Sequence, residues 1–171
     1  MLLDMNFTKQ IIINAPAEKV WAVAGRDFAK IGVWATAVSH SVANDKLTSV
    51  NGSAVGGRLC ETAFGTASEE FTAYDDAKKT YSFKGVFDSK MFNDVTSNME
   101  VTSIDDNTAK VEITPALELT LIGVLMYPMI RMQLSKVTDE VLEDLKYYVE
   151  NSKPSPRKIA SQQKQQKVPQ N

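Results

Sequence analysis

The sequence predicts an α+β fold in which a curved, seven-stranded antiparallel sheet wraps around one long C-terminal helix, with two short helices between strands 1 and 2. Three observations predict it. Six strand-like segments follow one another between residues 37 and 118, parted by turn signals such as Asn51-Gly52, Gly56-Gly57 and Asp75-Asp76. Connections this short join antiparallel neighbours. An apolar helical pattern then runs from about 120 to 150, where Ile130, Leu134, Val137, Val141, Leu145 and Tyr148 keep a three- or four-residue spacing. A sheet with one long amphipathic helix must fold its apolar face over that helix to cover both.

The elements follow in order. Residues 6–14, NFTKQIIIN, read as the first strand. Pro16 opens a short helix with Val20, Trp21, Val23 and Ala24 on its apolar side and Gly25 at its end, and a second helical turn falls near 27–33. The remaining strands span 37–43, 57–64, 68–75, 79–87, 94–104 and 109–118, with further turns at Gly65 and Asp105-Asp106-Asn107. Pro128 either begins the regular C-terminal helix or kinks it, leaving 119–127 as an irregular lead-in.

Composition excludes several chemistries. With 171 residues, 43% of them hydrophobic and 23% charged, one domain covering residues 1–150 is expected. Cys60 is the sole cysteine and His40 the sole histidine, so a zinc site, a Cys/His pair or a Ser-His-Asp triad would have to be built from one imidazole. The sequence has no Gly-rich phosphate loop, no metal-ligand spacing and no aromatic-basic pattern for single strands. Neither a cofactor, a metal nor a nucleic-acid partner is expected. No secretory leader pattern opens the chain, so a cytoplasmic location is the expectation.

Charge divides the chain unevenly. Residues 151–171 carry Lys153, Arg157, Lys158, Lys164 and Lys167 and no acid, so of the overall net charge of −2 a net −7 falls on residues 1–150. Three prolines, many glutamines and only Ile159 and Val168 as large apolar residues predict a disordered basic tail. It is either a solvated terminus or an arm that touches an anionic membrane or a nucleic acid.

Alternation sketches an inward face. It carries Tyr81, Phe83, Gly85 and Phe87 on one strand, Val95, Ser97, Met99 and Val101 on the next, and Val111, Ile113, Pro115 and Leu117 on the last. These side chains either fill a solid core or line a cavity, and a bent sheet gripping one helix favours an enclosed space. Met126, Met129 and Met132 recur every three residues near the start of the long helix, where methionine is either core filler or an adaptable wall. His40 shares the parity of Val38 and Val42, and Trp34, which follows the short helices, is either a packing residue at the pocket edge or a platform for the ligand.

Four segments, INAPAEKVWAVAGRDFAKIGVW (13–34), VGGRLCE (55–61), EEFTAYDDAKKTYSFKG (69–85) and VTDEVLEDLKYYVE (137–150), together resemble the polyketide cyclase/dehydrase and lipid-transport family of the START-like superfamily. The resemblance covers residues 6–150 and implies the helix-grip fold, with a cavity between sheet and helix for lipids, sterols or polyketides. It implies no single chemistry. Glu69 falls where that family often carries a glutamate, and it shares a face with Phe71 and Ala73 if those point inward. Glu61 shares a face with Leu59 and Ala63. A two-residue loop at Gly65-Thr66 would set Glu61 opposite Glu70, whereas a longer one would bring Glu61 and Glu69 onto one face. An inward carboxylate requires a cation, a proton or water beside it.

Three function classes follow. The first is a binder or carrier of a small hydrophobic molecule, walled by Tyr81, Phe83, Met99, Met129 and Met132 and anchored by Glu69 or Glu61. The second is a cyclase or dehydratase that moves a proton through Glu69 or His40. The third is an interaction module whose basic tail recruits a partner or membrane and whose cavity is vestigial; under any of the three the chain is expected as a monomer or homodimer. The apolar run from Leu117 to Ile130 is shorter than the roughly 20 residues that span a bilayer. Leu121, Ile122, Val124, Leu125 and Tyr127 are expected to cover the sheet, the alternative being that they dip into a membrane.

Overall fold

The first predicted strand, 6–14, is β2 (Lys9–Ile13), and a further strand, β1 (Leu3–Asn6), precedes it across Phe7 and Thr8. The computed structural model describes residues 3–166, and in it these two strands lie end to end along β8 (Thr108–Leu119), pairing Met5 with Leu117 and Ile11 with Val111. The other strands are β3 (Val38–Ala43), β4 (Gly57–Thr62), β5 (Gly65–Asp75), β6 (Thr80–Phe87) and β7 (Phe92–Asp105). Every neighbouring pair is antiparallel, and the order across the sheet runs β1 and β2, β8, β7, β6, β5, β4, β3.

The predicted pair of short helices is one continuous winding path. Pro16 precedes α1 (Ala17–Trp21), which widens into a π-helical turn over Ala22–Arg26. Gly25, expected at the helix end, sits inside that turn against the Trp21 ring. A 3₁₀ turn (Phe28–Lys30) leads into α2 (Ile31–Trp34). Trp21 and Phe28 drop from this path onto Phe71, Tyr74 and Tyr81 of the sheet, with ring centroids 4.2–6.0 Å apart. Offset and edge contacts of this kind add to the burial of the rings themselves.

On the C-terminal side, α3 (Leu121–Leu125) and α4 (Tyr127–Asn151) follow β8 directly. Thr120 caps α3, its hydroxyl accepting from the Gly123 amide at 3.2 Å. Pro128 stands in the first turn of α4, so it begins the helix and does not kink it. Leu142, Leu145 and Val149 seal one end of the core, while Ile130 joins Met5, Phe92, Leu117 and Leu119 in a second cluster near α3.

Gly123 fixes where α3 lies. A Cβ there would overlap the Met91 carbonyl oxygen. Gly123→Ala is therefore expected to push α3 off the loop before β7 and to cost about 1–3 kcal/mol in chemical denaturation. An unchanged midpoint would contradict the close approach.

Two expectations are corrected here. Residues 156–166 are not disordered: α5 (Pro156–Gln166) folds back on α4 and on the strand start at Val38. Polar contacts hold it in place of apolar burial. Asp144, fully buried, accepts from the Thr36 amide, the Ser155 hydroxyl and Arg157, while Lys158, 1% exposed, donates to the Val38 carbonyl at 2.7 Å. Burial pushes the Lys158 ammonium below its ordinary pKa, with Asp144 opposing the shift. Two of the tail's cations are thus engaged by the protein, and Lys167 lies outside the described residues. The second correction concerns α3. Leu121, Ile122 and Leu125 do not cover the sheet but are 81%, 54% and 83% exposed.

Candidate functional site

Sheet and α4 do not close completely on each other. Between them lies a cavity of about 280 Å³, walled by Tyr81, Phe83 and Phe87 of β6, by Val95, Ser97 and Met99 of β7, and by Ile113, Pro115 and Leu117 of β8. These are the inward positions that alternation marks, and all keep parity because β6 and the middle of β7 and β8 pair without a bulge. From the opposite side α4 contributes Ile130, Leu134, Val137, Thr138 and Val141. Phe28, Trp34 and Val38 close a third side.

The acidic candidates separate. The β4–β5 hairpin turns at Ala63-Phe64, two residues earlier than Gly65-Thr66, and Gly65 accepts the turn's backbone at φ +104°, a value that favours glycine. Glu61 then pairs with Thr66 and points to solvent with Leu59. Glu69 pairs with Arg58, and both face the cavity. His40 is also on the outer face, because a bulge between Val38 and His40 reverses the parity on which it was placed. A second bulge, between Phe71 and Ala73, turns Ala73 outward and Tyr74 inward.

Arg58 is the residue that sequence reasoning missed. It is 4% exposed, and its Nε donates to Glu69 Oε2 at 2.5 Å while Nη1 donates to the Phe28 carbonyl at 2.7 Å. Its Cζ sits 3.8 Å above the Phe28 ring. Burial alone would lower the guanidinium pKa, but the negative charge of Glu69 outweighs it and holds the group above its ordinary value. The neighbouring Cys60 thiol is pushed up to about 11 by the same burial, and the Tyr81 phenol is raised likewise. Neither is a ready nucleophile at neutral pH.

Trp34 supplies the other polar feature. It is 3% exposed and lines the cavity, yet its Nε1 finds no acceptor among the described residues. A buried indole N–H is ordinarily satisfied, and leaving one unpaired costs about 1–3 kcal/mol.

The remaining candidates divide between wall and surroundings. Met129 lines the cavity while 42% exposed, which places it at the rim. Met126 and Met132 point outward, because a spacing of three drifts around a helix of 3.6 residues per turn. Phe71 lies behind Phe28, one layer away from the cavity. Phe64 at the hairpin tip and Met91 before β7 also line the cavity and were not anticipated, since both belong to connections. Among the described residues no three His, Cys, Asp or Glu side chains gather as a metal site, and no helix is long and apolar enough to cross a membrane.

Comparison with solved structures finds the same fold at low identity. An aromatase/cyclase, Zhui of Streptomyces sp. R1128, superposes with a TM-score of 0.71 at 10% identity, over 86% of this chain and 94% of that one. A START superfamily protein of Mycobacterium smegmatis gives 0.67 at 13% identity, over 86% and 98% of the two chains. An uncharacterised protein of Bacillus thuringiensis gives 0.70 at 16% identity, over 86% and 100%. No functionally curated protein matches the sequence. The family model described as polyketide cyclase / dehydrase and lipid transport matches residues 4–150, and the chain belongs to that family.

Proposed function

We propose that this protein binds and carries a small apolar molecule that presents one oxygen acceptor. The observation that carries the proposal is the buried, unpaired Nε1 of Trp34, a residue that lines a mostly apolar cavity whose one ion pair, Arg58 with Glu69, is already satisfied. A guest carbonyl or hydroxyl oxygen would satisfy that donor, while the aromatic and aliphatic walls supply the affinity. Size narrows the class. An apolar cavity of about 150 Å³ accepts benzene, so 280 Å³ suits roughly two fused rings or a short acyl segment.

A cyclase or dehydratase reading has less support. Glu69 is held by Arg58, and His40 lies on the outer face, so neither acid-base candidate is free beside a guest. An interaction module built on the tail has less support too, because Arg157 and Lys158 are engaged by the protein itself.

The test is a pair of bicyclic ligands of one shape, an aromatic ketone and the matching hydrocarbon, titrated calorimetrically. The ketone is expected to bind about 2- to 10-fold more tightly, the span of one neutral hydrogen bond. Trp34→Phe is expected to erase that preference, because it removes the donor and keeps an aromatic ring in the wall. A preference that survives the substitution would contradict the role of Trp34.

A further inference from the structure

Leu121 and Leu125, four residues apart on α3, are the most exposed large apolar side chains among the described residues, and they share one side of the helix. Met129 and Met132, 42% and 65% exposed, carry the apolar strip onto the first turns of α4. The strip borders the cavity, since Met129 and Met91 line it and Gly123 backs onto the Met91 carbonyl. No acidic residue occurs from Leu119 to Thr138, in a chain whose first 150 residues carry a net −7. Lys90 and Arg131 flank the strip, both are exposed, and neither makes an ion pair among the described residues.

Single apolar residues on a surface need no explanation, but a continuous protrusion rimmed by unpaired cations does. We propose that α3 and the first turns of α4 dock into the interface of an anionic lipid bilayer, with Lys90 and Arg131 meeting headgroup phosphates. Charge complementarity favours lipid over a second copy, because a two-fold interface would set this cationic patch against another that also holds no acid from Leu119 to Thr138. The strip is too short to span and lies in the interfacial plane. Docking is a property of this surface alone, whereas exchange of cargo with the bilayer rests on the carrier function proposed above.

Flotation of the full chain with vesicles tests it, using phosphatidylcholine alone and phosphatidylcholine mixed with phosphatidylglycerol in equal parts. Binding is expected to the mixed vesicles, to weaken with added salt, and to fall at least tenfold in L121D/L125D, given the transfer free energy of two leucines. Lys90→Glu with Arg131→Glu is expected to lower it several-fold. The leucines make no core contact, so L121D/L125D keeps the melting temperature and the ketone affinity measured without vesicles. Flotation without ketone affinity would leave docking standing and remove the carrier function. Ketone affinity without flotation at low salt would overturn docking, as would equal flotation of L121D/L125D or equal binding to phosphatidylcholine alone. A dimer in sedimentation velocity that L121D/L125D abolishes would also overturn it and assign the strip to a second copy.

Discussion

Glu69→Ala is expected to destabilise the fold by about 3–5 kcal/mol, because it leaves the Arg58 guanidinium buried without its counter-charge. Neither partner can escape by a small movement: Arg58 is held on the Phe28 carbonyl and ring, and Glu69 on a central position of β5. For a chain of this length a loss of that size lowers the melting temperature by about 10 °C or more. Arg58→Met in the same chain should recover part of the loss, since it removes the uncompensated charge and leaves only the volume missing at position 69. Urea denaturation of the two single variants and the double variant checks this. A double variant no more stable than Glu69→Ala would contradict the coupling and assign the cost to packing alone.

The second large effect is expected at the opposite end of α4. Removing residues 152–171 takes Ser155 and Arg157 from Asp144, leaves it only the Thr36 amide of its three polar contacts, and uncovers the side of α4 on which α5 packs. A loss of about 3–5 kcal/mol is expected, the sum of two hydrogen bonds to a charged group. Asp144→Ala should cost a similar amount with α5 still present, because Arg157 and Ser155 then lose their partner. The truncated chain should also lose protection from hydrogen exchange along β3, whose first carbonyl, Val38, receives the Lys158 ammonium. Truncation with no loss of stability would show α5 to be a passive appendage.

Much of the fold was legible because the strands keep their period where they are long and paired on both sides. Tyr81, Phe83 and Phe87, or Val111, Ile113 and Leu117, alternate without interruption, so their direction follows from sequence position. The misplacements fall where one extra residue enters a ladder. Bulges at Val38/His40 and Phe71/Ala73 reverse parity, and no residue type marks either of them in the sequence. The hairpin turn at Ala63-Phe64 has the same effect on Glu61, because a glycine after a turn reads the same as a glycine within one.

The polar end of the site was hidden for a related reason. An arginine in a strand is ordinarily a surface residue, and Arg58 becomes interior only because the register sets it against Glu69. The register depends on the turn, so the ion pair was no more readable than the loop. Tail and lead-in erred in opposite directions. Composition foretold disorder for 156–166, but polar contacts order the tail, to Asp144 on the neighbouring α4 and to the Val38 carbonyl far away in the chain. Hydrophobicity foretold burial for 121–125, yet the Gly123 contact with Met91 turns the rest of that helix outward.

The central claim is that the hollow between sheet and α4 exists to hold a guest. Native mass spectrometry of the protein purified from its own host, beside a Ser97→Phe variant that fills the space where Ser97 lines it, tests this most directly. The account expects one oxygen-bearing apolar molecule on the unaltered chain and none on the folded variant. A chain that arrives empty, and whose melting temperature no ketone, acyl compound or hydrocarbon raises, would contradict it.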